Sequence, residues 1–283
     1  MLGKILKYEF KSTARIFLLM YAALLVLAAI NAGLIAFNNS QINLGDVLET
    51  VVYPIIMSIS MILYVVMAGA VLAVTIIVII VRFYRLLGNE GYLWFTLPVT
   101  ATQHLFGKLI VALIWSLASA VMLFVSIALL ALPTGFFDVI EQFSNLWAQL
   151  ASQGFSPGFW LVCVTALLLM SLLNSVLMFF AAMAIGPNIT KSRLGGSVIA
   201  FIILYIGVQI IDTIGLVAMV VPLNTQATII SDSTMSLDLP LMSQAVNSAV
   251  TTLTVGNTLI MGALSGVFFI IARHFMTKKL NLA

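Results

Sequence analysis

The chain has 283 residues, 63% hydrophobic and 7% charged, against about 25% charged in soluble domains. Twelve basic and nine acidic side chains cannot coat a soluble surface of this size, and a mean hydropathy of +1.20 places the apolar residues in lipid. Soluble enzymes are excluded, a net charge of +3 is too small to mark a nucleic-acid binder, and the single Cys163 can form no intramolecular disulfide.

Residues 1–15 come first. Lys4, Lys7, Lys11 and Arg15 share one helical face, and Leu2, Leu6 and Phe10 share another. That pattern predicts an amphipathic helix on the inner leaflet, where each basic residue gains about 1 kcal/mol from anionic lipid. The same four residues serve equally well as an orientation signal. Six apolar segments follow, each near or above the ~20 residues needed to cross ~30 Å of hydrocarbon. They are Ile16–Phe37, Tyr53–Val81, Lys108–Leu132, Gly158–Gly186, Ser197–Val221 and Ala249–Ala272. Helices are expected, because backbone groups in lipid must be satisfied within the segment. The first span is too long for a cleaved signal peptide and has no clear cleavage site, so it is expected to be retained.

The charges are sorted between the two sides. All twelve Lys and Arg fall before the first span, between the second and third, between the fourth and fifth, or after the sixth. Asp46, Glu49, Asp138, Glu141, Asp232 and Asp238 occupy the opposite connections, which hold no basic residue. The positive-inside rule then places both termini in the cytoplasm. The expected fold is an all-α, multi-pass integral membrane protein, one transmembrane domain over residues 1–283.

The second and fourth spans, roughly 43 Å long as straight helices, must tilt or continue past the hydrocarbon. Continuation of the second leads into residues 82–108. That connection carries Phe83, Tyr84, Leu86, Leu87, Tyr92, Leu93, Trp94, Phe95 and Leu97 among few charges. Gly88 and Gly91 bracket a turn, and Thr100 with Gln103 fits a capping box that restarts a helix after Pro98. The result is a helical hairpin whose apolar residues either lie in the membrane interface or fill a groove on another protein.

The run Asn89-Glu90-Gly91-Tyr92-Leu93-Trp94-Phe95-Thr96-Leu97-Pro98-Val99, with Gln103 and Gly107-Lys108-Leu109-Ile110, resembles type-2 ABC exporter permeases of Gram-positive bacteria. The opening Leu6-Lys7-Tyr8-Glu9-Phe10-Lys11 is similar to the start of that family. The resemblance implies that the loop is a coupling helix seated in a separate ATPase subunit, with Arg85, Gly88, Glu90, Gly91, Tyr92 and Trp94 making the contact. It further implies a homodimeric or heterodimeric permease in the bacterial cell membrane, with ATP and Mg bound by the partner ATPase. Transported cargo in the family includes antimicrobial peptides, drugs, lipids and ions.

Several other features are weaker. Phe136, Ile140, Phe143, Trp147 and Leu150 recur at helical spacing and predict a short outer interfacial helix, with Asp138 and Glu141 facing water. Residues 223–248 are expected to form an external loop with partial helix. Asp212 is the one acidic residue inside a span and could line a path or gate, or sit near the headgroups. Gly262 and Gly266 would permit close helix packing. Asn31, Asn174 and Gln209 are expected to bond between helices. His104 and His274 read as solvated or interface residues, with no metal-ligand spacing.

No nucleotide-binding loop is present: the nearest match, ending Lys191-Ser192, has Ile185 and Thr190 at its glycine positions. No cofactor and no enzymatic activity are therefore expected of this chain. The alternative to an ATP-driven permease is an ion- or proton-coupled transporter or channel, for which Asp212 is the sole titratable candidate within a span.

Overall fold

The computed structural model describes residues 2–40, 51–87, 101–190, 192–233 and 239–278. Among the described residues there are seven α-helices: α1 (Leu2–Asn39), α2 (Tyr53–Leu87), α3 (Ala101–Ala131), α4 (Phe136–Ser152), α5 (Pro157–Ile185), α6 (Arg193–Ser233) and α7 (Leu239–Lys278). All but α4 are long and apolar enough to cross a membrane, giving six candidate spans. The molecule is thus a multi-pass membrane protein; four of the predicted spans lie inside one of these helices, and the third and fourth end one residue beyond theirs, at Leu132 and Gly186.

The helices overrun the predicted segments. α1 is continuous from Leu2 through Asn39, so residues 1–15 and the first span share one axis about 57 Å long. α2 continues past Val81 to Leu87, carrying Arg82 and Arg85 beyond the apolar stretch. The stretch 223–248, expected as an external loop with partial helix, is helical over its described residues: α6 extends to Ser233 and α7 starts at Leu239. Its polar residues include no run of glycines to break the helix, and Pro240 sits in the first turn of α7, where a missing N–H costs nothing.

Two compact units emerge. The first takes in α1, α2 through Arg82, α3 from Phe106, and the start of α4. Its core is Phe17, Tyr21, Leu24, Ala28, Tyr64, Val71, Val111 and Trp115. On α1 these positions step by four and three residues, the spacing that keeps one seam against neighbouring helices. Asn39 closes the far end by donating from Nδ2 to the Pro133 carbonyl, 2.8 Å.

The second unit takes in residues 83–105 and 143–283. α5 is its most buried helix, from Val176 to Ala184. Phe180 stacks on Phe83 with ring centroids 4.1 Å apart, and Phe179 stacks on Phe201 at 5.0 Å. α5 and α6 are joined by a tight corner in which Gly186 and Gly196 approach through their backbones. α6 and α7 interlock differently, with Ile260 over Gly215 and Met219 over Gly256. The predicted Gly262/Gly266 pair makes no backbone contact: Gly262 faces the tip of Met170, and nothing approaches Gly266. At the other end, Asn247 accepts from Ser156 N–H and donates to Gly154 O, both 3.1 Å, tying α7 to the start of α5.

α4 matches its prediction as a helix, with none of its residues fully buried. Phe143 and Trp147 pack ring against ring at 5.8 Å, and Phe137, Ile140, Phe143 and Leu146 are exposed.

Candidate functional site

The densest group of charges in the first unit lies where α1 begins, α2 leaves the apolar stretch and α3 enters it. Lys7, Lys11 and Arg15 are exposed on α1, but Glu9 turns to the opposite face and is only 7% exposed. A carboxylate is almost never buried so far without partners. Glu9 has two. Its Oε2 pairs with the Arg82 guanidinium, and its Oε1 accepts from Lys108 Nζ at 2.9 Å. The cations cross-tie further. Arg82 donates from Nη2 to Ser12 Oγ at 2.7 Å and from Nη1 to the Glu9 carbonyl at 3.3 Å, while Lys108 Nζ donates to the Arg82 carbonyl at 3.1 Å. Two cations around one carboxylate leave a net single positive charge. The charge-assisted bonds are the stronger kind, and low exposure protects them from salt.

Polar contacts continue along the same seam. Thr13 donates to the Glu9 carbonyl at 2.9 Å and accepts from Trp115 Nε1 at 2.8 Å. The Trp115 ring stacks between Phe10, at 4.7 Å, and Phe17, at 4.3 Å. One turn on, Ser119 Oγ bonds Tyr21 OH at 2.7 Å and Thr75 Oγ1 at 2.8 Å, and Ser126 Oγ bonds Tyr64 OH at 2.9 Å. Asn31 donates to its own helix at Leu27 O and across to Ser60 O, 2.9 and 3.3 Å. In lipid such bonds average about 0.6 kcal/mol each and reach about 1.7.

Of the residues assigned to ATPase contact, Arg85 is exposed near the C-terminal end of α2. Gly88, Glu90, Gly91, Tyr92 and Trp94 lie outside the described residues. Asp212 is half-buried on α6, and its Oδ1 is buried with no hydrogen-bond partner among the described residues. Gln209 and Thr213, on the adjoining face of α6, line a shallow open groove with Ile206, Ile210 and Ile214. Gln209 therefore departs from the expectation of an interhelical bond, because its side chain points away from the packed face. Asn174 fits that expectation, donating to Met261 Sδ at 3.3 Å. His104, read as a solvated or interface residue, is 1% exposed and therefore not solvated. Among the described residues no three His, Cys, Asp or Glu side chains gather as a metal site.

Glu9 is the residue that the sequence left unassigned. Its signal was present as a lone acid among four basic residues within fifteen positions, but periodicity alone could not say what it meets. Comparison with protein-family models, characterised proteins and solved structures gives no match for this chain. Its function must be argued from its own residues.

Proposed function

We propose that the chain is the transmembrane permease subunit of an ATP-driven ABC exporter of the bacterial cell membrane. In this scheme both termini are cytoplasmic, residues 1–15 carry the helix of the first span out of the hydrocarbon on the inner side, and two permeases form the substrate path. Separate ATPase subunits engage residues 82–108, with Arg85, Gly88, Glu90, Gly91, Tyr92 and Trp94 at the contact. The cargo is an amphiphile such as an antimicrobial peptide or drug.

One observation carries the proposal. In sequence, the aromatic segment 88–100 connects two long helices, and those helices are tied to each other and to α1 at Glu9, Arg82 and Lys108. A lipid-packing loop needs no such frame, whereas a surface that receives force from a motor does. The test is purification of the intact chain from native membranes, followed by identification of the proteins that remain bound. An ABC ATPase should co-purify, and Glu90→Ala with Trp94→Ala should abolish both its retention and its stimulation. An intact complex with full stimulation in the double variant would disprove the assignment.

Asp212 favours the second reading, an ion- or proton-coupled transporter or channel, because a carboxylate oxygen without a donor inside a span is a ready cation or proton site. Transport that survives without ATP but collapses with the proton gradient would select it.

A further inference from the structure

We infer that Glu9 is a positioning residue that staples the two stems flanking residues 88–100, making them one rigid support with the start of α1. The inference rests on the permease assignment for its purpose, but its geometry stands in the first unit alone. Of the nine carboxylates, six fall in the connections without basic residues and Asp212 lies in a span. Only Glu9 and Glu90 remain on the side that holds all twelve Lys and Arg. Glu90 falls between the stems in sequence, and Glu9 binds both of them. It does so across 73 and 99 residues of chain, with one carboxylate oxygen for each stem. Lys108 also reaches the Arg82 carbonyl directly, so the stems are joined to each other as well as to α1. Ser12 and Thr13 hold the same turn of α1 in place, through Arg82 and Trp115 respectively.

Charge neutralisation does not explain the arrangement. Lys7, Lys11 and Arg15 are exposed and closer in sequence, yet Glu9 points away from them. Membrane insertion does not explain it either, since hydropathy alone suffices for the spans. A staple does: without the carboxylate, Arg82 and Lys108 are two cations facing one another, and the stems are driven apart. A push delivered to the segment between them then spreads the stems instead of moving the spans.

Two readouts on the full-length protein in lipid nanodiscs test this, in a Cys163→Ala background. Spin labels at Val81→Cys and Phe106→Cys, both exposed and one on each stem, report the stem separation by pulsed electron resonance. With Glu9 present the distance distribution should be single and narrow. Glu9→Gln, which keeps the shape and removes the charge, should move its mean outward by about 3 Å, the width of a water entering between released partners. Glu9→Asp keeps the charge with a shorter reach and should recover most of the narrow population, which also covers the case in which Glu9→Gln folds poorly. Glu90→Ala should leave the stems narrow. The second readout is ATP hydrolysis by the co-purified ATPase: Glu9→Gln should retain the subunit and its KM for ATP but lose the permease-dependent stimulation, with Glu9→Asp restoring it. An unchanged distance distribution in Glu9→Gln overturns the staple whatever the hydrolysis result. A widened distribution when no ATPase co-purifies even with the unmodified chain upholds the staple and rejects the permease assignment.

Discussion

Gly196→Ala puts the α5–α6 corner under the most direct strain. A methyl group on Gly196 would fall inside the van der Waals envelope of the Gly186 carbonyl oxygen, 2.8 Å from its carbonyl carbon and 2.9 Å from Thr190 Oγ1. Carbon atoms normally approach to about 3.5–4.0 Å, so the overlap is at least about 0.7 Å. The obstacle is backbone in a short 3-10 turn, and that turn has no slack on its other side. A methyl on Gly186 would itself lie 2.7 Å from Ser197 Cα. Replacing a helical glycine by alanine ordinarily gains about 0.5–1 kcal/mol, while forcing a methyl into a filled contact costs about 1–3. The net expectation is a loss of about 1–2 kcal/mol. Gly207 on the same helix has nothing within 4 Å of its would-be methyl, so Gly207→Ala is the matched control and should be neutral or stabilising. Cys163 supplies the assay, since the only cysteine is buried and reacts with a thiol-specific dye as the protein melts. Gly196→Ala should melt below the parent and Gly207→Ala at or above it. A Gly196→Ala midpoint equal to that of Gly207→Ala would refute the backbone contact.

Three further outcomes follow from the packing. A double-mutant cycle of Tyr21→Phe with Ser119→Ala should give a coupling of about 0.6–1.7 kcal/mol, measured by reversible unfolding in bicelles; a value near zero would mean the two hydroxyls are not bonded in the membrane. Phe180→Ala should cost about 3 kcal/mol by emptying the stack on Phe83, while Phe180→Leu should cost under about 1.5, both read by Cys163 labelling. Asp212→Leu should raise the melting midpoint by the equivalent of about 1 kcal/mol, because it removes a buried acceptor that has no donor. A lower midpoint would show that the carboxylate has a stabilising partner.

The number and placement of the spans were legible in the sequence, because a run of some twenty apolar residues without charge has one physical outcome in a polypeptide. Helix ends were not. Residues 9–15 and 82–87 are polar enough to leave lipid, but nothing in them breaks a helix, so α1 and α2 run straight through. The same reasoning missed the extension of α6 through its polar end to Ser233. Packing partners were harder still. The Gly262/Gly266 pattern was visible and joins no backbones, whereas Gly186 and Gly196 lie ten positions apart across a turn, a spacing that no helical repeat advertises. At the candidate site, the aromatic loop was conspicuous by composition, but Glu9 could be interpreted only once Arg82 and Lys108 stood beside it.

The seam on α1 shows why composition separates lipid from water but not inside from outside. In a soluble helix the apolar face is the packed face. On α1 the exposed positions include Leu18, Leu19, Val26 and Ile30, while Glu9, Thr13, Tyr21 and Asn31 face the other helices. Lipid offers apolar side chains as good a surrounding as a protein core does, so hydrophobicity gives the helices no reason to associate. Hydrogen bonds and close packing supply it. Glu9, Thr13, Tyr21 and Asn31 repeat at the period of the Phe17, Leu24 and Ala28 contacts, so the charged staple and the uncharged bonds deeper in lipid belong to one continuous face of one unbroken helix. Rotating α1 to release Glu9 from the stems must also turn Tyr21 away from Ser119 and Asn31 away from Ser60. The end of α1 that binds the two stems is therefore mechanically continuous with the interior of the first unit. A displacement at residues 82 and 108 can reach the middle of the span without passing through any hinge.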